Sequence, residues 1–125
     1  MRKAGSPLHL FTSFIVGAAL AMSAGPAAAQ EYPSKPVRII VPFAAGGPAD
    51  VYARFVAQRL QEALKQSFLI DNRPGGGSII GTEAVAKSAP DGYTLLMMSN
   101  THTVNESLFA TKPYQLMRDF APIAP

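Results

Sequence analysis

The segment Val41-Pro42-Phe43-Ala44-Ala45-Gly46-Gly47-Pro48-Ala49-Asp50 constrains this chain more than any other. An apolar run rich in β-branched residues, Val37 to Val41, leads into it, and a helix-patterned stretch follows. A strand, a Gly-Gly turn and a helix start in that order place backbone N–H groups where they can face an anion. The expectation is a site that holds something negatively charged.

The rest of the chain repeats this alternation. Pro33-Ser34-Lys35-Pro36 reads as an extended lead-in, because residues before proline avoid the helical region. Val37 to Val41 is strand 1, buried in a parallel sheet. A helix is expected from about Pro48 to Lys65, with an apolar stripe of Tyr52, Phe55, Val56, Leu60, Ala63 and Leu64. Gly47 suits its N-cap, Pro48 its first position and Asp50 its first turn. Phe68-Leu69-Ile70 is strand 2, and Asn72 to Ser78 is a glycine-rich loop. Ile79 to Lys87 is a second helix, and Pro90-Asp91-Gly92 a turn. Tyr93 to Met98 is strand 3, with Met97 and Met98 read as core residues. A polar tip, Ser99 to Thr103, follows, then a short helix over Val104 to Phe109. Asp119 to Pro125 reads as the approach to another strand. Short connections between alternating elements predict an α/β parallel sheet. The three polar segments all follow strands, so they should meet at one carboxyl edge, where such sheets bind ligands.

Residues 1–29 read as a secretory signal peptide. Arg2 and Lys3 precede an apolar stretch from Leu8 to Met22, and Ala27-Ala28-Ala29 fits a small-residue cleavage site before Gln30. A membrane anchor is the competing reading, but the run is shorter than the ~20 residues a spanning helix needs. Export implies a periplasmic product, and the absence of cysteine removes disulfide and thiolate chemistry. The formal charge of +3 includes Arg2 and Lys3; without them nine basic residues face eight acidic ones, which is no nucleic-acid footprint. Residues 30–125 suffice for one small domain, and the unfinished ending suggests a fragment.

Little in the sequence points to catalysis. His102 is the one histidine after the leader, Ser78 and Ser99 lack a nucleophile-elbow pattern, and the aspartates lack metal-ligand spacing. On a strand-end loop, His102 reads as a polar contact. Asp50 reads first as a helix stabiliser. Arg73 is open to a carboxylate or to solvent. No P-loop pattern occurs, and neither glycine cluster fits the dinucleotide fingerprint. No metal or cofactor is expected.

Five motifs, in order, resemble the substrate-binding receptors of tripartite tricarboxylate transporters, the Bug family. They are Tyr32-Pro33-Ser34-Lys35-Pro36-Val37-Arg38, Val41 to Asp50, Asn72-Arg73-Pro74-Gly75, Ala89-Pro90-Asp91-Gly92-Tyr93-Thr94-Leu95 and Asp119-Phe120-Ala121-Pro122-Ile123. The resemblance implies the first lobe of a two-lobed, type II-like periplasmic binding protein, truncated, with a small carboxylate ligand held by backbone N–H groups and water. It implies transporter membrane subunits as partners of the full-length parent, and no enzyme activity. Carried over by position, the first-lobe site is Phe43, Ala45, Gly46, Gly47, Pro48, Ala49 and Asp50; then Asn72, Gly76, Gly77 and Ser78; then Ser99, Asn100 and Thr101. The chain departs from the family pattern at Ala49, where Thr or Ser is frequent, at Lys65, where Gly is frequent, and at Gln115-Leu116, where Asp-Pro is frequent. It is also less than half the family's length. A secreted α/β enzyme and a non-functional remnant of a truncated receptor gene are the alternative readings.

Overall fold

The computed structural model describes residues 31–124; the expected signal segment lies outside them. Three parallel strands form one sheet in the order β2-β1-β3. They are β1 (Val37–Val41), β2 (Phe68–Asn72) and β3 (Thr94–Leu96). The helices are α1 (Pro48–Leu64), α2 (Ile79–Ala86), α3 (Asn100–Leu108) and a single turn, α4 (Leu116–Asp119).

β1 is the central strand. Val37, Ile39 and Val41 face α1, and Ile40 is buried on the other side. A strand covered on both faces needs apolar residues at successive positions, which explains the run. Its register fixes the lengths of its neighbours. Pairing of Ile40 with Asp71 and Val41 with Asn72 carries β2 two residues past the expected Ile70. β3 meets only Arg38 to Ile40, so it is shorter than the expected Tyr93–Met98. Met97 still packs on the core, but Met98 lies beyond the strand and is exposed.

The buried face of α1 is only partly the expected one: Leu60 of the expected stripe packs against the core and Val56 is half-buried, but the face is centred elsewhere. Ala53 and Ala57 are 0% and 5% exposed, whereas Tyr52 and Phe55 are 60% and 55% exposed. Both stripes have helical periodicity. The rotation is set by Asp50, whose carboxylate is pinned at the sheet edge by Gly46 and Asn72. That turns the positions three and seven residues later inward, and alanine at both lets the helix lie close to β1.

α1 stops at Leu64. Lys65 follows in the left-handed conformation, φ 55° and ψ 25°, with its N–H donating to Gln61 O at 3.0 Å. This conformation favours glycine. Lys65→Gly should therefore raise the unfolding free energy by ~0.5–1 kcal/mol, the relief of left-handed strain less the added freedom of the unfolded chain. Urea unfolding reads this as a higher midpoint at constant slope; a midpoint that stays or falls removes the strain argument.

Two of the motifs turn out to be one structural clasp. Tyr32 donates to Gly92 O, Ser34 N–H donates to the Tyr93 hydroxyl, and Lys35 lies over the Tyr93 ring while pairing with Asp91. The segment after α4 is extended at Phe120 and pairs with no strand among the described residues.

Candidate functional site

Parallel pairing brings the ends of all three strands to one edge, and hydrogen bonds join the segments that leave them. Asn72, at the end of β2, donates to Phe43 O at 3.3 Å and to Asp50 Oδ1 at 3.0 Å. Asn105, on α3, donates to Gly77 O at 2.8 Å. The Phe43 ring meets the His102 ring edge-on at 6.0 Å between centroids. Each segment thus touches the other two.

Asp50 holds the first segment. It is 2% exposed. Its Oδ2 accepts from Gly46 N–H at 2.8 Å and from Arg54 Nε at 2.9 Å. Arg54 also donates to Asn72 Oδ1 at 3.2 Å. The Arg54 hydrogen bond, then those from Gly46 and Asn72, lower the Asp50 pKa to about 2. Asp50 is therefore a charged structural clamp whose charge Arg54 neutralises, so a second anion nearby is not repelled. Gly46 takes φ 80°, which the turn requires; Gly47, at φ −77°, does not. A Cβ at Gly47 would instead come 3.3 Å from Ala44 O. No side chain caps α1, and its first backbone bond is Val51 N–H to Gly47 O. The N–H groups of Ala49 and Asp50 precede that bond and lie at the positive end of the helix.

The second segment leaves β2 at Asn72, so the expected loop is shorter by one residue, and it contains a single 3₁₀ turn, Gly76–Ser78. Gly75, Gly76, Gly77 and Ser78 all have positive φ, from 55° to 129°. Arg73 does not reach into the site; its Nε bonds Asp71 at 2.9 Å.

The third segment corrects the expectation most. Ser99 to Thr103 is no polar tip. Ser99 is the N-cap of α3, which begins four residues earlier than expected. Ser99 Oγ accepts from Thr101 N–H, Ser99 O accepts from His102 N–H, and Ser99 N–H donates to His102 Nδ1 at 3.1 Å. All three polar groups of Ser99 are therefore engaged within the chain, as is the Thr101 N–H. Asn100 is exposed at the edge. His102 is 0% exposed rather than a loop contact. Its Nε2 lies 3.0 Å from Thr82 Oγ1, and burial pushes its pKa below 6.5. Arg54, Thr82 and Asn105 carry no sequence-level expectation. The Ser99-x-x-His102 spacing, a capping box with histidine at its third position, was the available signal.

Two surface depressions contain none of the residues Phe43 to Asp50, Asn72 to Ser78 or Ser99 to Thr101. One is on the outer face of α3 at Val104 and Leu108, the other at the amino end of the sheet at Lys35, Arg38 and Tyr93. At the carboxyl edge Ala44, Ala45, Gly46 and Asn100 are exposed. Among the described residues no cluster of side chains could hold a metal ion.

An α/β unit with its polar segments gathered at the carboxyl ends of parallel strands is the architecture of a periplasmic solute-binding protein, and solved structures match it. The malate-bound protein MatC from Rhodopseudomonas palustris is 36% identical, with a TM-score of 0.66 over 73% of this chain and 31% of that one. A second R. palustris protein, Rpa4515, solved with adipate, is 45% identical, with a TM-score of 0.52 over 53% and 22%. BugT of Bordetella pertussis is 46% identical over 81% of this chain and 32% of its own length. The model of the tripartite tricarboxylate transporter family receptors matches residues 52–125. The chain belongs to that receptor family. The match includes Asn72 to Ser78 and Ser99 to Thr101, and leaves Phe43 to Asp50 outside it. The chain spans about a third of the length of the curated relatives it matches.

Proposed function

We propose that this chain supplies one wall of the cleft of a periplasmic receptor for a small organic carboxylate, and that the receptor feeds a tripartite tricarboxylate transporter. The observation that carries this is the contrast between two helix starts at one sheet edge. α3 is capped by its own Ser99 and His102, whereas α1, like α2, has no side-chain cap. The uncapped N-terminus lies beside the Gly46 turn, with the Asp50 charge already balanced by Arg54. A carboxylate is the complementary group. The relatives solved with malate and adipate support a carboxylate over other anions. The ligand wall in this reading is Phe43, Ala45 to Asp50, Asn72 and Gly76 to Ser78, with Asn100 and Thr101 at its margin; Ser99 serves by holding α3. Export by cleavage after Ala29 belongs to the same proposal.

One preparation tests it. Material recovered from a periplasmic fraction should begin at or near Gln30. Titrated with malate and adipate, it should show amide shifts at Ala45 to Asp50 and Gly76 to Ser78. A ligand touching one wall keeps its other face in water, so dissociation constants weaker than ~1 mM are expected, less than ~4 kcal/mol of binding. Micromolar binding by the folded monomer would show the single unit to be a complete site. No shift at either segment removes the carboxylate wall.

A further inference from the structure

We infer that His102 is a positioning residue for the ligand wall: acting through Thr82, it holds the Gly75–Ser78 turn in its left-handed shape. For binding, this inference rests on the carboxylate reading above; for the shape of the turn it stands alone.

Ser78 poses the problem. Its φ is 77°, and it is the one residue of the four-residue positive-φ run that carries a Cβ. A side chain disfavours that conformation, so surrounding contacts must hold it. They do so from two elements. Thr82 Oγ1 on α2 donates to Ser78 O at 2.8 Å, and Asn105 Nδ2 on α3 reaches Ser78 Oγ at 3.3 Å as well as Gly77 O. Ser78, Thr82, His102 and Asn105 are all buried.

Counting protons gives the relay a direction. A carbonyl only accepts, so the single Thr82 hydroxyl proton is directed to Ser78 O. The contact between Thr82 Oγ1 and His102 Nε2 must then be donated by the imidazole. A neutral ring with its proton on Nε2 has a bare Nδ1, and Ser99 N–H points at that atom. One tautomer therefore satisfies the α3 cap, Thr82 and the turn together. The opposite tautomer, with Nδ1–H towards Ser99 O, turns the Thr82 proton away from Ser78.

Two substitutions separate the functions of the two ring nitrogens. The side-chain oxygen of His102→Asn can accept from Ser99 N–H but offers nothing to Thr82. Thr82→Val keeps the shape of the side chain and removes the hydroxyl, leaving the α3 cap untouched. The readout is 15N relaxation of the whole chain. In the wild type, Gly77 and Ser78 should have backbone order parameters near ~0.85, falling below ~0.6 in both variants. Amides of α1 and β1 should keep their wild-type values, and Thr82→Ser should restore the turn. A turn as rigid in Thr82→Val as in the wild type overturns the inference. So does loosening spread evenly over α1 and β1, which marks simple destabilisation.

Malate titration is the second arm. Shifts at Gly76 to Ser78 should require about threefold or more malate in Thr82→Val and return in Thr82→Ser. If malate moves no resonance in the wild type, the carboxylate reading fails, and the order parameters still decide the relay.

Discussion

Gly81→Ala is expected to lower the stability of the domain by about 2 kcal/mol, against the direction helix propensity gives. Gly81 lies inside α2, where alanine in place of glycine ordinarily gains ~1 kcal/mol. At this position an added Cβ would come 2.7 Å from Arg73 O, 2.7 Å from Pro42 Cβ and 2.9 Å from Pro42 Cα. None of these atoms sits on a rotatable side chain. Relief therefore has to come from moving α2 away from the ends of β1 and β2, an overpacking cost of ~3 kcal/mol. The steric term wins. Because small domains have only ~5 kcal/mol or little more in hand, the shift should be plain in urea unfolding. A midpoint equal to or above the wild type would mean that α2 rides on the sheet more loosely than its contacts with Pro42 imply.

His102→Ala is expected to cost about 2–4 kcal/mol, through the cavity left by a fully buried ring and the stranded partners Ser99 N–H and Thr82 Oγ1. Stability of the wild type should also depend on pH through this ring. Its pKa is lowered on folding, chiefly by burial. Below its ordinary value of 6.5 the unfolded chain then holds more protons than the folded one, so stability is fully present above 6.5 and falls as pH drops below it. The imidazole meets Ser99, Thr82 and the Phe43 ring, none of them charged. Asp50 and Asp119, both at about 2, lose their contributions only below the usual carboxylate value of 3.8, so neither shapes the stability between pH 7.5 and 5. Urea midpoints between pH 7.5 and 5 should fall for the wild type, and the His102→Ala curve should be flatter. Parallel curves would assign the slope to other groups. His102 thus outweighs Gly47 for stability: the Gly47 backbone is at an ordinary φ, and a side chain there meets one carbonyl oxygen.

The fold was legible because its signals are local. Val37 and the unbroken apolar triplet Ile39 to Val41 in β1, Pro48 after a Gly-Gly pair, and Asp50 in the first turn of α1 each act within a few residues of themselves. The gathering of three strand ends at one edge followed from parallel pairing alone. Two outcomes belonged to the tertiary structure. Which of two equally periodic stripes of α1 is buried was decided by Asp50 reaching Asn72, a residue 22 positions away. The nature of His102 was decided by Thr82, twenty positions away, which converts an apparent loop histidine into a buried, neutral, directional link. Periodicity and capping patterns describe a residue's own turn of chain. They carry no information on which distant polar group completes a hydrogen bond once water is excluded, and at this site those distant partners set the geometry.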